Sequence, residues 1–251
     1  MINSRKKTIV VKFCFPGYSQ LKNSIAKTNL AFHLESGSLE FIKWIALISM
    51  TIDHANRFFL NGANSAFYCL GRLAMPLFAF TLSYSLAHIP VSNSEKYGQI
   101  LKRLLIYGLI AIPPFMVMKR QMHLYPFNIM FLLALSTASI YFLKTAGLNR
   151  IFAFFILLIG GFYVEYQWIG ILFAIAAWYF CERPSLISSM FLALAYILLD
   201  DLNHNHWALL SLIVIFLASQ IHFKVPRIKH FFYLYYPLHL YILLFLSFLL
   251  V

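Results

Sequence analysis

The chain has 251 residues, of which 61% are hydrophobic, 18% aromatic and only 11% charged. This composition is more apolar than that of ordinary soluble domains, and it predicts an integral membrane protein. The formal net charge of +12 does not indicate nucleic-acid binding, because the basic residues are dispersed over loops and form no basic helix or folded module.

The first 38 residues predict a basic, flexible tail that precedes the apolar part of the chain. Its apolar stretch, IVVKFCF, is short and interrupted by lysine, which argues against a signal peptide. We interpret the tail as a cytoplasmic arm whose lysines can rest on anionic lipid headgroups, or as an over-extended translation start. Residues 39–251 then form the transmembrane helical domain.

Polar residues divide this domain into a series of apolar runs. A transmembrane helix needs about 20 residues, so the chain has room for roughly nine of them. The runs lie at about residues 40–60, 65–88, 98–118, 124–143, 150–164, 166–181, 185–200, 206–222 and 229–251. The middle runs are short, and Gly160 and Gly161 mark either a turn or a break within one longer hairpin. The sequence therefore predicts an all-α, polytopic membrane protein with eight to nine transmembrane helices.

The distribution of lysine and arginine predicts the orientation of the chain. These residues collect in the tail and in alternate loops, where Lys102 and Arg103 belong to the basic set. The opposite loops hold Arg57, Lys119 and Arg120 together with several acidic residues. Because short cytoplasmic loops are enriched in basic residues, we predict a cytoplasmic amino terminus and a multi-pass protein of the inner (cytoplasmic) membrane.

Ionisable residues interrupt the first two apolar runs. Asp53 and His54 lie in FIKWIALISMTIDHANRFFL, and Gly71 and Arg72 lie in FYCLGRLAMPLFAFTLSYSL. Such residues are costly inside a membrane and indicate a functional site. With a rise of 1.5 Å per residue, His54 lies about 21 Å from the cytoplasmic end and Arg72 about 10 Å below the outer surface, at similar depth. Pro76 frees the carbonyl of Arg72 and predicts a kink there.

Two simpler interpretations of these residues remain open. Asp53 and Arg57 are four residues apart and could form a salt bridge near the outer headgroups, with His54 merely interfacial. Alternatively, Asp53 could pair with Arg72 across the two helices. The first interpretation leaves Arg72 without a partner in an otherwise apolar run.

Two further polar residues are predicted to lie near the depth of His54 and Arg72. Asn128, in YPFNIMF, is typical of a helix–helix hydrogen-bonding residue. His239, in YLYYPLH, lies one turn from Tyr235 and Tyr236, so a packed hydrogen-bonding cluster would explain it without chemistry. The three cysteines lack metal-ligand spacing, and no metal site is predicted.

The paired segments IKWIALISMTIDHANRFF and LGRLAMPLFAFTLSYSL resemble the DH and GR-x-x-x-P-L-F signature of the TraX family. Weaker similar patches are FNIMFLLAL, QWIGILFAIAAW and FYLYYPLHLYILL, so the resemblance runs from about Leu39 to Val251. TraX proteins are the pilin acetylases of F-type conjugation systems, related in plan to transmembrane acyltransferases. The resemblance implies transfer of an acetyl group from acetyl-CoA to the amino-terminal amine of processed pilin.

The resemblance also implies roles for the ionisable residues. His54 is suited to be the general base, with a transient acetyl-histidine as the alternative. Adjacent helical residues point about 100° apart, so Asp53 is better placed to pair with Arg57 or Arg72, or to bind the substrate ammonium, than to bond His54. Arg72 could stabilise the oxyanion or position the cofactor, and Asn128 could donate a second hydrogen bond.

The remaining predicted site residues would bind substrate or acetyl-CoA. The basic inner loops could hold the phosphates of acetyl-CoA, although the positive-inside rule alone also accounts for them. We expect pilin or another acyl acceptor and membrane lipid as partners, and no nucleic acid. The predicted binding residues are Arg57, Gly71, Tyr236, His239, Lys102 and Arg103.

Three other functions compete with the acetylation of pilin. The closing YLYYPLH also resembles the last helix of the broader O-acyltransferases, which act on glycan or lipid hydroxyls. A proton-linked transporter could use His54 and Asp53, but inverted repeats and paired broken helices would favour it and neither is evident. A structural component of a conjugation complex would need no chemistry at His54.

Overall fold

The computed structural model describes residues 32–145 and 147–250, and all regular structure within these ranges is helical. An isolated parallel bridge joins Phe127 to Val164. The prediction of an all-α protein is thereby confirmed. The predictions for residues 1–31 lie outside the described residues.

The helices end near the polar residues that separate the apolar runs of the sequence. A π-helical turn, Ile156–Gly160, joins the seventh and eighth α-helices, and a 3-10 turn, Trp207–Leu209, precedes the eleventh. The α-helices are α1 (Ser36–Phe59), α2 (Ser65–Gly71), α3 (Ala74–Ala87), α4 (Ser94–Ile110), α5 (Ile112–Lys119), α6 (Ile129–Lys144), α7 (Asn149–Phe155), α8 (Gly161–Tyr163), α9 (Gln167–Glu182), α10 (Leu186–Asn203), α11 (Leu210–Gln220) and α12 (Phe231–Leu250).

Several helices begin at a capping side chain. Asn64 Oδ1 accepts a hydrogen bond from the backbone N–H of Phe67 at 3.1 Å, and Asn128 Oδ1 accepts one from Met130 at 3.1 Å. These caps satisfy amides that have no partner within the first turn of a helix. They fix where α2 and α6 begin, and both starts lie beside the candidate site described below.

Proline residues break two of the longer apolar segments. The helix is interrupted at residues 72–73, between α2 and α3 and just before Pro76, although Ser65–Ala87 still forms one continuous apolar segment. Pro113 and Pro114 lie in the first turn of α5, which is bent by 54° relative to α4. The carbonyl of Ile110, four residues before Pro114, accepts a hydrogen bond from Tyr241 on α12 at 3.2 Å.

The number of helices able to cross a membrane is smaller than the eight to nine predicted. Among the described residues, three segments are long and apolar enough, namely Ser65–Ala87, Leu186–Asn203 and Phe231–Leu250, and a fourth if the bent pair α4–α5 counts as one span. Four other apolar helical segments have only 10–17 residues. The sequence count was too high because it treated every apolar run as a full span.

Helix α1 is long enough to cross a membrane, with 24 residues, but is not among these candidates. It carries four charged residues, Glu40, Lys43, Asp53 and Arg57. The apolar helices indicate a membrane protein, while the orientation of the chain and the identity of the membrane stay predictions.

Helices α3 and α9 pack closely at the centre of the bundle. Ser83 Oγ donates to the carbonyl of Ala174 at 2.7 Å, and the buried small residues Ala79 and Ala177 also allow the two helices to approach. Helix α1 packs on α3 and α12. Large apolar side chains on α10, α11 and α12 remain exposed, as expected of a surface that faces lipid.

The start of the described chain packs against the bundle. The hydroxyl of Tyr84 accepts from the backbone N–H of Leu34 at 2.9 Å and donates to its carbonyl at 3.1 Å. Helix α1 begins at Ser36, before the predicted domain boundary at residue 39. Residues 32–38 therefore pack with the helical domain.

Candidate functional site

A cavity of about 270 Å³ opens at one end of the bundle, which we call the site end. Its wall is formed by the second half of α1, the end of α2, the start of α3, the end of α5, the start of α6, the connection between α8 and α9, the end of α10 and the first half of α12. The polar residues of this wall are Asp53, His54, Arg57, Tyr68, Arg72, Lys119, Glu165, Tyr166, Gln167, Asn203 and Tyr236.

The carboxylate of Asp53 binds two arginines of this wall. Its Oδ2 accepts from Arg57 Nε at 3.0 Å and from Arg72 Nη2 at 3.2 Å. The side chains of Asp53 and Arg72 are 9% and 8% exposed, so this pair is largely removed from solvent. Both pairings considered from the sequence are therefore present together.

Gly71 allows the two helices to meet at Asp53. A Cβ atom at position 71 would lie 2.4 Å from the Cβ and 2.8 Å from the Cγ of Asp53, far inside van der Waals contact. Only a residue without a side chain permits this approach. Gly71 thus acts by positioning Asp53 and Arg72, and it also lines the cavity.

Arg72 is fixed by three further contacts. Its Nη1 donates to Asn203 Oδ1 at 3.3 Å and its Nε donates to the carbonyl of Tyr68 at 3.4 Å. The guanidinium carbon lies 4.2 Å from the centre of the Tyr68 ring, a cation–π arrangement. A guanidinium has five N–H donors, and the described contacts engage three of them, so two remain for a ligand.

His54 and His239 form a directly bonded pair. His54 Nδ1 lies 2.7 Å from His239 Nε2, and the two rings are nearly parallel, with centres 5.0 Å apart. His239 Nδ1 lies 2.9 Å from the carbonyl of Tyr235. A carbonyl only accepts, so His239 Nδ1 carries a proton; in the neutral ring, Nε2 then accepts the proton of His54 Nδ1.

This arrangement leaves His54 Nε2 as the basic nitrogen. It has no hydrogen-bond partner among the described residues, and His54 lines the cavity. The pair is braced by Tyr235, whose ring stacks on His239 with centres 5.0 Å apart and whose hydroxyl bonds Thr51 Oγ1 at 2.9 Å. His54 is therefore oriented for proton transfer at the cavity wall.

Several groups in the wall have no partner of their own. Asp53 Oδ1, Asn203 Nδ2 and Tyr236 Oη are buried and make no hydrogen bond among the described residues. Unpaired buried polar atoms are uncommon in folded proteins and each needs an explanation. Three of the eight such atoms among the described residues belong to the wall of this one cavity, where a polar ligand could bond them.

The sequence did not identify six polar residues of this wall, namely Tyr68, Lys119, Glu165, Tyr166, Gln167 and Asn203. Lys119 and Glu165 form an ion pair with Nζ and Oε1 2.7 Å apart, Tyr166 lies at the start of α9, and Asn203 ends α10. These residues lie at helix ends and in connections, where solvation is the usual explanation for a polar side chain.

Four predicted site residues do not line the cavity, and one of them, His239, acts there only through its hydrogen bond to His54. Asn128 is fully buried, donates from Nδ2 to the carbonyl of Gly108 at 2.9 Å and caps α6 with Oδ1, so it acts in helix packing. Lys102 and Arg103 lie along α4, away from the cavity wall. We correct the assignment of Asn128, because its side chain is buried and bonded within the protein. Binding of acetyl-CoA by Lys102 and Arg103 stays a prediction.

Comparison with known proteins identifies the family. A model of the family described as TraX protein matches residues 38–247. The chain is also 28% identical to "Probable fimbrial assembly protein FimC, serogroup H1" from Dichelobacter nodosus, over 79% of this chain and 91% of that protein. No solved structure matches. With most of its length matched by the family model, and with the DH and GR residues together at one cavity, this chain belongs to the TraX family.

Proposed function

We propose that this protein transfers an acetyl group from acetyl-CoA to the amino-terminal amine of a pilin subunit at the inner membrane. The family and the relative named for fimbrial assembly support a role in pilus biogenesis. The observation that carries the proposed chemistry is the His54–His239 pair, which leaves a basic nitrogen at the wall of a polar cavity.

In the proposed reaction, His54 Nε2 removes a proton from the substrate nitrogen. The neutral amine attacks the thioester carbonyl, so a carbon–nitrogen bond forms and the carbon–sulfur bond breaks. The substrate ammonium therefore gives up two protons: one is released to solvent before the amine attacks, and His54 takes the second during the attack and returns it to the departing thiolate. The products are an acetylated amine and a free thiol, and His54 ends in its starting form.

Arg72 is suited to stabilise the charge that develops on the carbonyl oxygen. Its pairing with Asp53 and Asn203 holds the guanidinium rigidly, and two of its N–H groups are free of described contacts. Preorganised donors of this kind contribute more to the transition state than to the ground state.

The carboxylates of the wall are suited to hold the incoming ammonium. Asp53 Oδ1 is buried without a partner, and Glu165 Oε1 contacts Lys119. A positively charged amino terminus that approaches Asp53 would meet an acceptor that the protein leaves unsatisfied. An uncharged hydroxyl could donate one hydrogen bond to Asp53 Oδ1 but would lack the charge attraction of an ammonium.

Mass spectrometry tests the proposal directly. Detergent-purified protein is incubated with acetyl-CoA and a synthetic peptide of the processed pilin amino terminus, beside a peptide with a blocked α-amine and a glycan or lipid hydroxyl acceptor. We expect one acetyl group on the free α-amine and none on the blocked peptide. Transfer to the hydroxyl acceptor instead would support O-acylation.

Two variants separate loss of chemistry from loss of structure. His54→Gln is expected to remove the product, because it cannot take the proton, while the matched variant His206→Gln should retain it. His206 is exposed and lies outside the cavity wall. Full turnover by His54→Gln would contradict the assigned base, and absence of transfer by the unmodified protein to either acceptor would favour a transporter or a structural protein.

A further inference from the structure

A second cavity of about 270 Å³ lies outside the first at the site end. The two cavities share walls at Asp53, Arg57, Tyr68, Met118 and Lys119. These shared side chains therefore line a path that leads from the opening of the second cavity to His54 in the first.

Basic residues dominate this outer cavity. Arg57, Lys119 and Arg120 line it, together with the polar residues Asn56 and Asn61. The neighbouring carboxylates are already paired: Asp53 with Arg57 and Arg72, and Glu165 with Lys119. The cavity consequently retains an excess of positive charge.

The donors that point to a ligand are partly preorganised. Arg120 Nη2 donates to Asn61 Oδ1, a contact that fixes the guanidinium against the turn after α1. Arg57 uses Nε for Asp53, and its two Nη groups make no hydrogen bond among the described residues. Planar guanidinium groups that are held and only partly used match the oxygens of a phosphate.

The sequence supplies an independent observation. The loops predicted to face away from the cytoplasm hold Arg57, Lys119 and Arg120, and all three line this one cavity. The positive-inside rule explains basic residues on the other loops but does not explain these. The presence of these three basic residues in one cavity wall therefore needs a local explanation, such as a bound anion.

We propose that the outer cavity is a phosphate-binding subsite, which holds the anionic end of a ligand whose other end reaches His54. The phosphate belongs either to the acyl donor or to an anionic lipid headgroup. The first source rests on the proposed acetyl transfer and requires a site end that faces the cytoplasm, where acetyl-CoA is made, whereas the second is compatible with the predicted orientation. In either case the ligand enters at the site end, rather than at the basic loops around Lys102 and Arg103.

Calorimetry of the full-length protein in detergent tests this subsite without turnover. The probes are coenzyme A, its 3′-dephospho form and inorganic pyrophosphate. We expect Arg120→Gln to weaken coenzyme A binding by about tenfold or more, the usual effect of losing a charge-assisted hydrogen bond. Arg120→Lys should recover part of the affinity.

Two matched variants locate the effect. Lys96→Gln removes an exposed basic residue at the start of α4 and should leave binding unchanged. Arg103→Gln tests entry at the opposite set of loops. Equal affinity of Arg120→Gln and the unmodified protein, or a loss confined to Arg103→Gln, would overturn a coenzyme A subsite at Arg120.

Nanodiscs distinguish the lipid source. If phosphatidylglycerol raises the thermal midpoint relative to phosphatidylcholine, and Arg120→Gln abolishes the increase, the phosphate is that of a lipid. Absence of an Arg120-dependent effect with coenzyme A and with phosphatidylglycerol would reject the subsite. A protein that binds coenzyme A through Arg120 yet transfers no acetyl group would reject the proposed reaction alone.

Discussion

Two largely buried cations, Lys144 and Arg72, lie in different parts of the bundle and have different surroundings. Lys144 ends α6 with a side chain only 7% exposed. Its Nζ donates to the carbonyls of Leu86, Ala87 and Ile89 at 3.1, 3.2 and 3.1 Å, and Glu182 Oε2 lies 3.4 Å away. All three N–H donors of the ammonium have acceptors, and the cluster closes the end of α3.

Arg72 lies beside a cavity and is surrounded by groups that are only partly satisfied. Ile129, at the other end of α6 from Lys144, lines this cavity, so the two clusters are separated by about 22 Å along the helix. Asp53 and Asn203 each bond Arg72 and keep one unpaired buried atom. Glu182 Oε2, beside Lys144, is also buried without a hydrogen bond, but it lies in the wall of neither the first nor the second cavity. The difference teaches that coordination by backbone carbonyls away from a cavity indicates a structural cluster, whereas unpaired partners of a cation in a cavity wall indicate a ligand site.

Replacement of Arg72 tests the functional side of this comparison and should have the largest effect. Arg72→Lys keeps the charge but loses the planar set of donors. We expect turnover to fall by about 10²- to 10³-fold, the usual effect of removing one oxyanion donor. The measurement is initial rate by mass spectrometry. A rate within twofold of the unmodified protein would remove Arg72 from the reaction.

Replacement of Lys144 tests the structural side. Lys144→Met removes three charge-assisted hydrogen bonds; the hydroxyl of Tyr97 still donates to the carbonyls of Leu86 and Ile89 at 3.2 and 3.0 Å, but that of Ala87 loses its side-chain donor. The variant should lower the stability by about 3 kcal/mol. For a protein of this size the thermal midpoint in detergent should then fall by about 6–12 °C. Activity per folded molecule should stay the same at low temperature. A selective loss of activity without a change in midpoint would assign Lys144 to the site.

Within the site, variants of His239 test whether the bonded histidine pair acts in turnover or only in packing. His239→Leu removes the acceptor of His54 Nδ1 and should lower turnover by about 10- to 100-fold, since the base is no longer held in position. His239→Gln retains a side-chain oxygen as acceptor and should recover part of the rate. A purely structural role for His239 would instead lower the midpoint equally in both variants and leave the pH profile of turnover unchanged.

The sequence identified the central residues of the site for a physical reason. Asp53, His54 and Arg72 are costly in an apolar run, so their presence alone indicates function. Asn203 and Glu165 carry no such signal, because polar residues at helix ends are ordinarily solvated. Only the tertiary structure brings these two ends to the cavity.

The sequence was less informative about spans and basic residues. Apolar runs predicted eight to nine crossings, but four apolar segments have only 10–17 helical residues and α1 carries four charges. Lys144 appeared as one basic residue among many near a helix end, and its burial depends on α3 and α9. The basic residues Lys119 and Arg120 did offer a signal, since they lie on loops where the orientation rule predicts few.

The smallest expected effect comes from the support behind the histidine pair. Tyr235→Phe keeps the ring that stacks on His239 and removes only the hydroxyl that bonds Thr51 Oγ1 at 2.9 Å. Thr51 Oγ1 also donates to the carbonyl of Leu47 at 2.8 Å, so it keeps a partner in the variant. We expect a loss of stability of about 1 kcal/mol, measured as a midpoint lower by about 2–4 °C, with turnover nearly unchanged.

The matched variant Thr51→Val removes the other partner of the same hydrogen bond. If the bond only braces α12 against α1, the double variant should lose less stability than the two single variants lose in total, because the hydrogen bond can be lost only once. If the hydroxyl of Tyr235 instead helps to set the protonation of the pair, Tyr235→Phe would change the pH profile of turnover while Thr51→Val would not. Such a result would extend the site beyond His239, from a bonded pair of histidines to the tyrosine stacked behind them.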